Sequence, residues 1–103
     1  MTRGEVWWAR DGDKRRPFLI LTRTSAVELV NRLIVVPTTS TVRGIRTEVP
    51  LTRRDGMPSR CVLSLDNTRS LRKTQLLEHI TTLSADRMDE VCAALRIATG
   101  CGA

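Results

Sequence analysis

Apolar and polar residues alternate from Gly4 to Ala9, with Val6, Trp7 and Trp8 among them, and this two-residue period predicts a strand. The next stretch, RDGDKRR (10–16), is charged around Gly12 and reads as a loop. Pro17 opens PFLILT (17–22), a second strand; proline is tolerated at a strand's first position, where its missing donor matters least. Ser25 is placed to cap a short helix running through Asn31. RLIVVP (32–37) is a continuous apolar run suited to a buried strand, and TTSTVRGIR (38–46) is a polar, basic loop around Gly44. Thr47 to Leu51 alternates as a further strand. TRRDGMPSR (52–60) is a second basic turn, punctuated by Asp55-Gly56 and Pro58. Cys61 to Leu65 is a strand, Asp66 to Lys73 a polar connection, and Leu76 to Leu83 the last strand.

Ser84 reads as an N-cap, with Asp86 in the first turn favouring the helix dipole. Met88, Val91, Cys92, Leu95 and Ala98 follow at helical spacing and form one apolar face. Gly100 ends that helix, and the tail 101–103 is expected to be loose. The pattern is five or six short strands, a small inserted helix and a C-terminal amphipathic helix. A small barrel or strongly bent sheet with the helix packed against it fits, as a single domain over 1–103. There is no internal repeat, low-complexity tract or linker.

Composition narrows the partner. The chain has 103 residues, 41% of them apolar, which supports one core and not two. Net charge is +6, and residues 1–73 hold 15 basic and 7 acidic side chains against 2 and 4 in the remainder. A polyanion, with nucleic acid first, is the partner that this balance favours. Lys14 and Lys73 are the only lysines; arginine forks phosphate and stacks on bases, although a GC-rich genome gives the same bias. Cys61, Cys92 and Cys101 are odd in number and lack zinc-type spacing. His79, the one histidine, lies in an alternating strand and reads as structural. A two-histidine acid/base ribonuclease is therefore impossible within one chain, and no carboxylate pair or His/Cys cluster falls at ligand spacing. Neither metal nor cofactor is expected. The N-terminus lacks a signal-peptide run, and nothing approaches the roughly 20 apolar residues of a membrane span, so a cytoplasmic protein with no membrane partner is expected. Trp7 and Trp8 point to opposite faces of their strand; one reads as core, the other as dimer surface or a platform for a base.

Four segments carry a family resemblance, in order along the chain: RGEVWW (3–8), RRPFLIL (15–21), IVVPTTST (34–41) and LSLDNTRSL (63–71). Together they resemble the MazF/PemK family of toxin endoribonucleases over nearly the whole length, and TTSTVRGIRTEVPL (38–51) is similar to the actinobacterial members. The resemblance implies an SH3-like barrel that forms a homodimer. It implies metal-independent cutting of single-stranded RNA or RNA loops at short motifs, in messenger, ribosomal or transfer RNA. The 2′-hydroxyl attacks the adjacent phosphate and leaves 2′,3′-cyclic phosphate and 5′-hydroxyl ends. It also implies a cognate antitoxin whose flexible acidic segment lies across the basic groove.

Residue by residue, the resemblance makes Arg16, before Pro17, and Thr39, second after Pro37, the catalytic pair. Some relatives carry an arginine two residues before the position of Asp66; this chain has Ser64 there. In-line attack builds negative charge on the non-bridging oxygens, which a fixed guanidinium and a hydroxyl donor stabilise. A free arginine titrates above about 12 and is a poor base, so Arg16 reads as an electrostatic stabiliser. Candidate RNA contacts are Lys14, Arg15, Thr38, Ser40, Thr41, Arg43, Arg46, Arg54, Asp66, Asn67 and Arg69. Asp66 has two readings, a turn-capping carboxylate or a contact to a base. Two alternatives remain: a non-catalytic RNA-binding barrel, and a gyrase-poison type of toxin on the same fold. Gyrase poisons act through a tryptophan near the end of the last helix, and this chain ends RIATGCGA without one.

Overall fold

The charged stretch at 10–16 is mostly strand. In the computed structural model, which describes residues 1–102, β1 (Glu5–Asp11) and β2 (Lys14–Ile20) stay paired through Arg10↔Arg15 and Asp11↔Lys14. Only Gly12 and Asp13 make the turn, and Gly12 takes the left-handed φ of 63° that a two-residue hairpin needs. Charge does not oppose pairing here, because the exposed hairpin tip leaves its side chains in water.

Five more strands follow: β3 (Arg32–Thr39), β4 (Glu48–Leu51), β5 (Cys61–Ser64), β6 (Arg69–Arg72) and β7 (Leu76–Thr82). All pairings are antiparallel, in the order β4-β5-β3-β2-β1-β7, and that path does not close. β3 serves two partners: Arg32 to Val35 pair with β6, while Thr38 and Thr39 pair with β5. The result is a strongly bent, barrel-like sheet. The expected polar connection at 66–73 thus contains a seventh strand. Backbone pairing holds β6 in place, and Leu71 alone of its side chains is buried, so no apolar alternation marks it.

The sheet is covered on both faces. Leu19, Val36, Leu51 and Leu63 pack with Val91 of α2 (Ala85–Thr99) in one cluster. Phe18, Ile20, Leu33 and Val35 pack with Val27 of α1 (Thr24–Val27) in the other. Neighbouring residues of β2 and β3 feed opposite clusters, which is why both strands are continuous apolar runs. The inserted helix starts after Arg23 without a side-chain cap and stops at Val27, so Ser25 lies inside its first turn and caps nothing. In α2, Ser84 caps as expected, its hydroxyl accepting from Arg87 N at 3.2 Å. Gly100 ends the helix at a left-handed φ of 71°. Cys101 and Gly102 turn back, Cys101 N donating to Thr99 Oγ1 at 3.4 Å; the last residue of the tail lies outside the described residues.

Neither tryptophan is fully core. The β1–β7 register shifts between Val6 and Trp7 and again between Trp8 and Ala9, and both indoles are half-buried while Val6 and Ala9 are buried. Trp7 donates its indole N–H to Glu5 Oε1 at 2.8 Å.

Candidate active site

β2 and β3 run antiparallel with Phe18 opposite Pro37. Beyond that pair β3 leaves β2 for β5, with Arg16 on β2 and Thr39 on β3 each two residues away from it. Between them Thr38 is buried, and its hydroxyl donates to the Pro17 carbonyl at 2.9 Å, clamping the two strands. Thr39 is half-buried, and its Oγ1 accepts from Thr41 N at 3.1 Å. Its own hydroxyl proton has no acceptor among the described residues and is free for a ligand.

Arg16 and Thr39 open on a hollow of about 320 Å³. Thr41, Arg43, Asp66, Asn67 and Arg69 complete its wall together with Ile45, Glu48 and Ser64. The turn after β5 supplies Asp66 and Asn67 already oriented. Thr47 Oγ1 donates to Asp66 Oδ2 at 2.6 Å, and Asn67 Nδ2 donates to Ser64 Oγ at 2.7 Å. Ser64 therefore does for Asn67 what no arginine could: it accepts the amide proton and fixes the amide plane.

Two acidic residues in this site carry no sequence signal. Asp11 sits between two guanidiniums, with Oδ1 2.6 Å from Arg69 Nη2 and Oδ2 3.7 Å from Arg16 Nη1. In sequence it is one more charge in a hairpin tip, and its partner Arg69 is far along the chain. Glu48 accepts backbone N–H bonds from Arg43 at 3.1 Å and Gly44 at 3.0 Å, pinning the exposed loop 40–46 over the hollow. Arg69 also lies 5.0 Å from the centroid of the Phe18 ring, a cation–π contact that limits its swing.

Other candidate contacts lie elsewhere. Arg15 and Ser40 line a second hollow that shares Arg16, Thr38 and Thr39 with the first. Lys14 is exposed at the hairpin tip and lines neither hollow. Arg46 lies beside Arg96 and Ile97 of α2, and Arg54 beside Arg87, so neither reaches the Arg16–Thr39 pair. His79 is exposed against Trp7, ring centroids 5.7 Å apart, and lines neither hollow. Three guanidiniums, a hydroxyl and an amide thus converge on the hollow, with the Asp11 carboxylate holding those of Arg16 and Arg69.

Comparison with known proteins agrees with this architecture. The family model described as PemK-like, MazF-like toxin of type II toxin-antitoxin system matches residues 2–99. A Mycobacterium tuberculosis protein named probable endoribonuclease MazF2 is 40% identical over 102 residues, covering 98% of this chain and all of the relative. The solved Mycobacterium tuberculosis toxin MazF-mt6 superposes with a TM-score of 0.87 at 34% identity, covering 93% of this chain and 96% of that one. A mycobacterial endoribonuclease solved with its cognate antitoxin shares the fold at a TM-score of 0.92 and 24% identity, with 100% and 98% coverage. With the family model matched across nearly the whole chain, this protein belongs to the PemK-like, MazF-like toxins of type II toxin–antitoxin systems.

Proposed function

We propose that this chain is the toxin of a type II toxin–antitoxin pair and a sequence-specific endoribonuclease of single-stranded RNA, with Arg16 and Thr39 as its catalytic residues. The observation that supports this reading is the shared hollow, whose wall holds Arg16, Arg43 and Arg69 together with the Thr39 hydroxyl. In the reaction the substrate's 2′-oxygen attacks the adjacent phosphorus and the bond to the 5′-oxygen breaks. The 2′-hydroxyl loses its proton, the departing 5′-oxygen gains one, and a 2′,3′-cyclic phosphate remains. Arg16 and the Thr39 hydroxyl donate to the non-bridging oxygens, where charge grows. Asp66 and Asn67 face the same hollow, with acceptor and donor groups suited to the edge of a base.

The proposed working form is a homodimer, silenced by a cognate antitoxin that brings acidic residues to the basic surface. The RNA substrate puts the protein in the cytoplasm. Among the described residues, no helix is long and apolar enough to cross a membrane.

The test is cleavage of total cellular RNA by purified protein in EDTA, with 5′-hydroxyl ends mapped and Arg16→Ala and Thr39→Ala assayed in parallel. Discrete cuts by the wild type, slowed by about 100-fold or more in each variant, are expected. RNA binding without cutting would instead make the chain a non-catalytic barrel.

A further inference from the structure

Arg16, Thr38 and Thr39 form a wall common to two hollows. The second hollow, of about 230 Å³, lies between the start of β2 and the segment 57–61, and Trp8 is its one aromatic side chain. The scissile phosphate of RNA carries a nucleoside on each side. A phosphate held at the shared wall therefore directs one nucleoside into each hollow, so the second must accept a base or stand empty during the reaction.

Its chemistry fits a base. Trp8 is half-buried, so its indole borders open space, and its N–H has no partner among the described residues, unlike that of Trp7. The Arg15 guanidinium stands 5.6 Å from the Trp8 ring centroid, steadied by Glu78 at 3.8 Å. Arg60 is exposed at the rim. An aromatic face holds a planar base by stacking, and the guanidiniums beside it, which only donate, favour a base that presents acceptors on its edge.

Building on the ribonuclease reading, we infer that the second hollow is a nucleobase subsite. It receives the base on one side of the scissile phosphate, stacked on Trp8 and flanked by Arg15 and Arg60, and it sets cutting preference at that one position. Trp8 and Arg60 are the specificity residues this adds.

The experiment cuts a single-stranded RNA pool, randomised around the cleavage site, with wild type, Trp8→Ala, Trp8→Phe and Arg60→Ala, and maps 5′-hydroxyl ends. Trp8→Ala and Arg60→Ala should weaken preference by about tenfold at a single position beside the cut and leave the other positions as in wild type. Trp8→Phe, which keeps a stacking face, should retain most of it. A binding arm uses the Trp7→Phe, Thr39→Ala double variant, in which Trp8 is the remaining indole; its emission should be quenched by an RNA oligonucleotide. Should Trp8→Ala fail to fold, the exposed Arg60→Ala and the quenching arm decide. Wild-type cutting with preferences unchanged in the variants, and no quenching, overturns the subsite and leaves the ribonuclease standing. No wild-type cutting at all overturns both. Trp8 emission that follows protein dilution but not RNA would give the hollow to a second copy of the chain and overturn the subsite.

Discussion

Asp11 shows how one side chain can govern a site from outside the reacting set. Its carboxylate spans Arg16 and Arg69, and those guanidiniums are 39% and 42% exposed, so the ion pairs contribute little to stability. Their value is aim. Asp11→Asn should shift unfolding by less than about 1 kcal/mol. It should lower kcat by about tenfold with KM nearly unchanged, because a loosened Arg16 loses alignment in the transition state more than in binding. Asp11→Glu should recover part of the loss; equal losses in kcat and stability would sink the idea of a positioning role. The cysteines offer a second residue-scale check. Burial pushes the Cys61 thiol up from its ordinary value, and the charge of Asp55 adds to the rise. Cys101 is exposed. Iodoacetamide at neutral pH should therefore label Cys101 on the order of tenfold faster than Cys61 by mass spectrometry of the native protein. Bound RNA should slow Cys61 further, since it lines the second hollow.

At the scale of elements, the turn after β4 is lashed to the rest of the fold by Asp55 and Gly56. Arg87 Nε of α2 donates to Asp55 Oδ1 at 3.0 Å, and Thr81 Oγ1 of β7 donates to the Asp55 carbonyl at 2.8 Å. Gly56 has φ 91°, and a Cβ there would collide with the Thr81 side chain. Gly56→Ala should cost about 2 kcal/mol or more in urea unfolding, combining left-handed strain with overpacking. Burial pushes the Asp55 carboxyl up. The Arg87 and Thr52 hydrogen bonds and the Arg87 charge outweigh that effect and hold it below the ordinary aspartate range. Asp55 ionised thus stabilises the fold at neutral pH, and that contribution is lost as pH falls through its folded-state value. Unfolding of wild type and Asp55→Asn should differ by about 2 kcal/mol at pH 7 and converge as the pH falls below the ordinary aspartate range. A gap that stayed constant with pH would mean that the charge is not what matters. Elements whose side chains enter the two clusters were legible from alternation, helical spacing or a continuous apolar run: β1 to β5, β7 and α2. β6 was not, because its place is set by backbone pairing to β3 rather than by an apolar face. The β1–β2 hairpin hid for a related reason, since its paired tip extends into water. The Arg16–Thr39 pair was legible only through family resemblance. Its physical cause is the meeting of β2 and β3 at one hollow, which a linear pattern does not display.

For the whole molecule, net charge overstates what RNA can feel. The chain carries +6, yet Arg46, Arg54 and Lys14 lie outside both hollows, and Asp11 offsets part of Arg16 and Arg69. The guanidiniums at the two hollows are those of Arg15, Arg16, Arg43, Arg60 and Arg69. With Asp11 offsetting part of their charge, about three or four phosphates are neutralised. Single strands lose about 0.7 in log affinity per phosphate for each decade of salt, so the expected slope is about −2 to −3. Binding of a fluorescent single-stranded RNA to Thr39→Ala, followed by anisotropy across salt concentrations, measures it. Arg69→Ala frees Asp11 to draw on Arg16 alone, so it should weaken binding and flatten the slope by more than Arg54→Ala, which should change neither. A slope near −5 or steeper would mean that phosphates are held across the whole basic surface, and the two hollows would then be only the centre of a wider RNA path.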